Sequence, residues 1–242
     1  MKITKNIFIC ALLVLMLFLC INAASASETL DTNLTGTDAS DIVSVGGDDI
    51  VAGDSGLEVL GDGDMIVGDG GYSSISAAVS AANGGETIFI KNGTYTESST
   101  ILIKNSLNIV GESQDGVKIT GPSSSSLFKG STDNDVSDFT FTLNNVTILN
   151  TGSEYYPAIL FTYYSHDINL INCTFDGCGS KWGTIQFGHP GTGVIDGCKI
   201  LNSKCTATAG SGAVYLSNDG IYSIKNTVID DVQCTLANSL GA

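Results

Sequence analysis

The feature that most constrains this chain is a repeat in its second half. Pro157-Ala158-Ile159-Leu160-Phe161 aligns with Gly183-Thr184-Ile185-Gln186-Phe187 and with Gly212-Ala213-Val214-Tyr215-Leu216, at offsets of 26 and 29 residues. A second block keeps step with the first: Asn145-Val146-Thr147-Ile148, Asn172-Cys173-Thr174-Phe175, Gly197-Cys198-Lys199-Ile200 and Asn226-Thr227-Val228-Ile229. Periods of roughly 20–50 residues indicate a solenoid, a propeller or an array. Each unit offers three short strands and no helix, so the economical solution is a parallel β-helix in which each coil stacks on the one before. A leucine-rich repeat needs a Leu-x-x-Leu-x-Leu framework that is missing, and a propeller blade needs a period of about 40 or more.

Period-two alternation then assigns the interior. Ile159, Ile185 and Val214 form one inward column, Phe161, Phe187 and Leu216 a second, and Ile148, Phe175, Ile200 and Ile229 a third. Asn145, Asn172 and Asn226 share a turn, where stacked amides are expected to hydrogen-bond along the solenoid axis. Upstream, Ile75, Ala78, Val79 and Ala82 fall on one face of a short helix stopped by Asn83-Gly84-Gly85. Alternating strands follow at Ile88 and Ile90, Ile101 and Ile103, Leu107 and Ile109, and Val117 and Ile119. The expected fold is all-β, a right-handed parallel β-helix with a short N-terminal capping helix.

The rest of the chain divides by composition. Lys2 and Lys5, the apolar run Ile7 to Ile21 and Ala24-Ser25-Ala26 read as a secretory signal over residues 1–26. Residues 27–70 carry 11 of the 25 acids and no Lys, and read as a disordered acidic Gly/Asp-rich linker. Its Gly-Asp units drift in spacing, and Asp62-Gly63-Asp64 lacks the rest of an EF-hand loop, so no metal site is assigned. Residues 71–242 form the β-helix. Moving 29 residues on from Gly212-Ala213 reaches Gly241-Ala242, the start of another strand. The β-helix is therefore expected to be C-terminally incomplete, part of a longer protein, with self-association through an open apolar end. After loss of the signal no segment is long enough to span a membrane.

The chain contains no Arg, and its 10 Lys face 25 acids for a net charge of −15. Nucleic-acid binding, which needs a basic stripe, is excluded as a class. So is any chemistry requiring a guanidinium fork within the chain.

The run from Ser74 to Gly121, SISAAVSAANGGETIFIKNGTYTESSTILIKNSLNIVGESQDGVKITG, resembles the N-terminal cap and first coils of the pectin-lyase-like superfamily. The signal, the acidic linker and the units SGAVYLSN and NCTFDGC are similar to those of adhesin-like surface proteins of methanogenic archaea. The resemblance covers Tyr72 to the C-terminus and implies the fold. It leaves function open, since the superfamily includes lyases, hydrolases, esterases, epimerases and non-enzymatic adhesins. Its pectate lyases and pectin methylesterases both use an Arg, so neither mechanism carries over.

Inverting hydrolases on such a scaffold need two carboxylates about 6.5–9.5 Å apart on one outer face. In the sequence register the outward column Leu160, Gln186, Tyr215 holds no acid. A second column, Asn144, Ile171, Asp196, Lys225, suggests only an exposed Asp196–Lys225 ion pair, and Leu201 separates Asp176 from Asp230. Lys181, Lys199 and Lys225 are the possible bases of a Lys-dependent lyase, with nothing beside them to mark activation. No catalytic residue and no cofactor is assigned.

Aromatic residues are the better lead. Tyr155, Tyr156, Tyr163, Tyr164, Trp182 and Tyr215 cluster in two or three coils, with Tyr156 and Trp182 at equivalent positions. Exposed rings stack on sugars, and Gln186 supplies a polar contact beside them. The same rings can simply cover turn backbone. Tyr156, Tyr163, Trp182, Gln186, His189 and Tyr215 form the candidate ligand-binding set. His166 and His189 lack ligand partners for zinc and read as surface positions.

Removal of the signal leaves five cysteines. Cys173 and Cys198 share a register position before buried residues and read as buried thiols; Cys205 and Cys234 share another and stay open; Cys178 is unpaired. Sequons at Asn33, Asn92, Asn145 and Asn172 are glycosylation candidates, although burial in the Asn ladder would exclude a glycan at the last two. The reading that follows is a secreted or cell-surface, non-catalytic, adhesin-like β-helix whose partner is a polysaccharide or cell-surface glycan. The alternatives are a carbohydrate-active enzyme relative and a structural envelope spacer.

Overall fold

A computed structural model describes residues 49–53, 56–60, 64–132, 138–188, 191–205, 211–217 and 219–234, with backbone only for 49–60. The signal segment, Asn33, His189 and Gly241-Ala242 lie outside the described residues. Strands β1 (Asp49–Gly53) and β2 (Gly56–Leu60) pair antiparallel. Every other strand pairs parallel, in stacked sheets that build a β-solenoid of about six turns. No helix among the described residues is long and apolar enough to cross a membrane.

The coils succeed one another in chain order. Strand β3 (Met65–Val67) and helix α1 (Ile75–Ala81) begin the stack, so its first strand falls inside the stretch assigned to the linker. Then come β4 (Thr87–Ile90), β5 (Gly93–Thr96) and β6 (Ile101–Ile103), followed by β7 (Leu107–Gly111), β8 (Val117–Thr120) and β9 (Phe128–Gly130). The third full coil holds β10 (Thr140–Asn144), β11 (Thr147–Leu149) and β12 (Ile159–Phe161). The fourth holds β13 (Asp167–Ile171), β14 (Thr174–Asp176) and β15 (Ile185–Phe187). The fifth holds β16 (Thr192–Asp196), β17 (Lys199–Leu201), β18 (Lys204–Cys205) and β19 (Val214–Leu216). Strands β20 (Ile221–Lys225), β21 (Val228–Asp230) and β22 (Gln233–Cys234) complete the described residues. Equivalent strands stack as β3-β4-β7-β10-β13-β16-β20, as β5-β8-β11-β14-β17-β21, and as β6-β9-β12-β15-β19.

The inward columns are those the alternation predicts. Ile159, Ile185 and Val214 are register partners, as are Phe161, Phe187 and Leu216, and Ile148, Phe175, Ile200 and Ile229. Burial fails where a column reaches its last described level: Ile200 is 0% exposed but Ile229 is 46% exposed, and Leu216, the last of its column, is 37% exposed. Phe128, Phe141 and Phe161 pack in succession with ring centroids 5.6 and 5.4 Å apart. Where two rings converge, the sequence supplies a glycine. A Cβ on Gly193 would sit 2.6 Å from the Phe187 ring and 2.8 Å from that of Tyr222.

The Asn positions work differently from the expected amide ladder. Asn145, Asn172, Gly197 and Asn226 all adopt left-handed backbone, at φ of 55°, 48°, 64° and 48°. Asn and Gly tolerate that region where branched residues do not. In this column Asn226 Nδ2 donates to the Asp196 carboxylate of the coil before at 2.9 Å, and at the separate turn after β17 the likewise left-handed Asn202 donates to Asp176 at 2.6 Å. Gly197 interrupts the column because a Cβ there would collide with Asn172 Oδ1.

Helix α1 closes the N-terminal end by burying Ile75 and Ala78 against the core. Ser74 caps it, its hydroxyl accepting from the Ala77 N–H at 3.1 Å. A second acceptor comes from the β5–β6 turn. Glu97, 3% exposed, takes hydrogen bonds from the N–H groups of Ile75 at 2.7 Å and Ser76 at 3.3 Å. Its carboxylate satisfies donors that the first helical turn leaves without intrahelical partners.

Candidate functional site

The third sheet brings the outward candidates into line. Register pairs Leu102 with Lys129, Lys129 with Leu160, Leu160 with Gln186, and Gln186 with Tyr215. Five consecutive levels thus form one lateral strip, roughly 19 Å long at the interstrand spacing of about 4.8 Å. Leu102 is well exposed, Lys129, Gln186 and Tyr215 are half-buried, and Leu160 points outward but is only 9% exposed.

Aromatic rings border this strip at the strand ends. On the side where the strands begin, Trp182 packs on Tyr215 with centroids 5.0 Å apart and planes tilted by 54°. The Lys181 ammonium stands 5.0 Å from the centre of the same indole, a cation–π contact. The Lys181 N–H donates to the Glu154 carbonyl at 2.8 Å, which sets Tyr156 and Trp182 at successive levels of one turn. No ring contact joins those two, and Tyr156 is 44% exposed. On the far side Tyr163, 56% exposed, projects beyond β12. Tyr164 is different: it takes left-handed backbone and donates its hydroxyl to the Thr132 carbonyl at 3.2 Å. Of the six candidates, the structure gathers Trp182, Gln186 and Tyr215 closely and places Tyr156 and Tyr163 at the margins; His189 lies outside the described residues.

A concavity of about 480 Å³ opens at the other end of the strip, between α1 and β6. Ser76, Ser80, Thr100, Leu102, Lys104 and Asn105 line it. Two separate segments, residues 76–84 and 99–107, contribute, so no single local motif announces it in the sequence. The only signal was the apolar Leu102 at an outward position of β6.

Three outer carboxylates are engaged between coils. Asp167 accepts from Thr192 Oγ1 at 2.6 Å, and Asp176 and Asp196 from the Asn residues of the next coil. Asp196 and Lys225 are register partners, yet the expected ion pair between them is absent; Asn226 takes the carboxylate instead. Lys91 and Glu112 form an ion pair at 3.3 Å, and among the described residues no cluster of three or more His, Cys, Asp or Glu could hold a metal ion.

His166 departs from its expected surface position. It is fully buried and stacked on Phe139, ring centroids 3.7 Å apart. Desolvation lowers its pKa below the ordinary histidine value, against the opposing pull of Asp138 and Asp167. A loop histidine between two Tyr and an Asp reads as polar because the aromatic that covers it, Phe139, comes from the previous coil.

Cys173 and Cys198 are buried thiols, as expected, donating to the carbonyls of Leu143 at 3.4 Å and Leu170 at 3.3 Å. Burial holds the Cys173 thiol well above its ordinary pKa and pushes that of Cys178 up to about 12. Cys178 has no disulfide partner. Of the sequons, Asn92 and Asn172 are exposed and Asn145 is half-buried, so the turn position does not exclude a glycan at Asn172.

Comparison with family models, with curated proteins and with solved structures finds no match to this chain. Fold and geometry alone define its class, a parallel β-solenoid with one aromatic-bordered lateral face.

Proposed function

We propose that this chain is a secreted or cell-surface, adhesin-like β-helix that binds a polysaccharide along its third sheet without catalysis. The observation that carries the reading is the Trp182–Tyr215 pair beside Gln186, at one end of a strip of five outward residues in register. Such a surface suits an extended sugar chain, with rings for stacking and amide and ammonium groups for hydroxyls. The non-catalytic part rests on Asp167, Asp176 and Asp196, which serve as acceptors for the next coil, and on the lack of an arginine. The archaeal, pectin-lyase-like affiliation belongs to the same proposal and rests on the sequence resemblance.

A glycan array probed with the folded chain tests it. Binding is expected to a subset of polysaccharides, falling at least tenfold in Trp182→Ala and Tyr215→Ala. Binding to none would leave the spacer reading. Release of unsaturated products absorbing at 235 nm, or of new reducing ends, would favour the enzyme alternative.

A further inference from the structure

We propose that Cys205 and Cys234 are a disulfide-forming pair that fastens the last described coil to the coil beneath it. The two residues are register partners in the parallel pair β18–β22. Neighbouring strands lie about 4.8 Å apart, inside the Cα separation of about 4.4–6.8 Å that a disulfide spans. The level is fixed by main-chain bonds on both sides, Lys204 N–H to the Cys178 carbonyl at 3.1 Å and Gln233 N–H to the Ser203 carbonyl at 2.8 Å. The register sets the two side chains side by side, close enough that, besides burial, the Cys205 thiol helps raise the pKa of Cys234.

The molecule supplies its own contrast. Cys173 and Cys198 occupy the same kind of register position one turn earlier in the coil and their thiols also meet, so the difference lies in access: they are 0% and 1% exposed. No reagent reaches them while the solenoid is folded. Cys234 is only half-buried, so one member of the second pair can be attacked from solvent while the other, Cys205 at 2% exposure, waits beneath it.

The oxidant is a small-molecule disulfide. The Cys234 thiolate attacks one of its sulfurs, breaks the S–S bond and releases one thiol, leaving a mixed disulfide. The Cys205 sulfur then attacks the Cys234 sulfur, forms the protein disulfide and expels the second thiol. Two electrons and two protons pass from the protein dithiol to the reagent, which leaves as two thiols. Burial pushes the Cys234 thiol up to about 11, so closure accelerates as pH rises through the neutral range. Once closed, the bond encircles one coil and opposes peeling of β20, β21 and β22 from the stack.

The absence of arginine makes the test direct, because trypsin then cuts only after lysine. Cys205 falls in peptide 205–225, Cys234 in 226–242, Cys198 in 182–199, and Cys173 with Cys178 in 130–181. The folded full chain is treated with oxidised glutathione at pH 8, acid-quenched, denatured, alkylated and digested. The expected product joins 205–225 to 226–242, with the other cysteine peptides fully alkylated. The melting temperature of the oxidised chain should rise by several degrees, a rise missing in Cys205→Ser. Alkylation of both terminal peptides, a lasting glutathione adduct on Cys234, or bonds to Cys173, Cys178 or Cys198 would each overturn the proposal. A parallel sample oxidised in urea establishes that the reagent is active.

Discussion

His166 is the residue whose role differs most between sequence and fold. Its ring lies flat on Phe139 inside the stack, so protonation would place a charge in an apolar interior. The folded-state pKa is lowered from an unfolded value near 6.5, and between the two values only the unfolded chain binds the proton. The stability it supports is therefore complete above about pH 6.5 and is lost as pH falls through the folded pKa. Urea unfolding followed from pH 7.5 down to pH 5 should show a loss in the wild type that is smaller in His166→Phe. Equal slopes in the two proteins would refute the assignment. The left-handed Asn residues make the same point from the opposite direction. The recurrence of Asn145, Asn172 and Asn226 is plain in the sequence, but Asn226 donates to the Asp196 carboxylate of the coil before instead of joining an amide stack, because a charge-assisted bond is the stronger one.

Among the elements, α1 depends most on a distant residue. Seven residues cannot form a stable helix in isolation, so its caps and its buried face hold it. Ser74 caps it locally and Glu97 caps it from the β5–β6 turn, with both bonded N–H groups at the first turn. Replacement of Glu97 by Ala leaves buried donors without an acceptor and should cost about 1–3 kcal/mol of stability. Chemical denaturation measures this directly, and hydrogen exchange at the Ile75 and Ser76 amides should accelerate at the same time. Glu97→Ala with unchanged stability would mean that solvent substitutes for the carboxylate. The apolar face of α1, stopped by Gly84 and Gly85, was legible from its spacing; the acceptor 22 residues away was not, since nothing local links Glu97 to Ile75.

Among the described residues the stack has one end covered by α1 and one end whose last coil is exposed. Strands β19, β20 and β21 lie at the edges of their sheets, and Ile221, Ile224, Val228 and Ile229 in that coil are 43–76% exposed. Unpaired edges and apolar side chains together favour association between copies. Sedimentation across a range of concentrations should show oligomers in the wild type that dissociate in an Ile221→Lys, Val228→Lys double variant. A monomer at every concentration would argue against this reading of the exposed coil.

The sequence by itself determined the solenoid, its register and its interior. Alternation with a repeat of 25–30 residues leaves one way to stack Ile159 on Ile185 and Phe175 on Ile200, and a slip of a single residue would turn each column to solvent. It also identified the buried pair Cys173 and Cys198 and the outward order Leu160, Gln186, Tyr215. Only the tertiary structure decided where side chains from different coils meet. The packing of Trp182 against Tyr215, the burial of His166 under Phe139 and the capping of α1 by Glu97 each join residues 22 to 33 positions apart. Those contacts arise from turns of unequal length, whose course follows packing between coils and leaves no periodic trace in the chain.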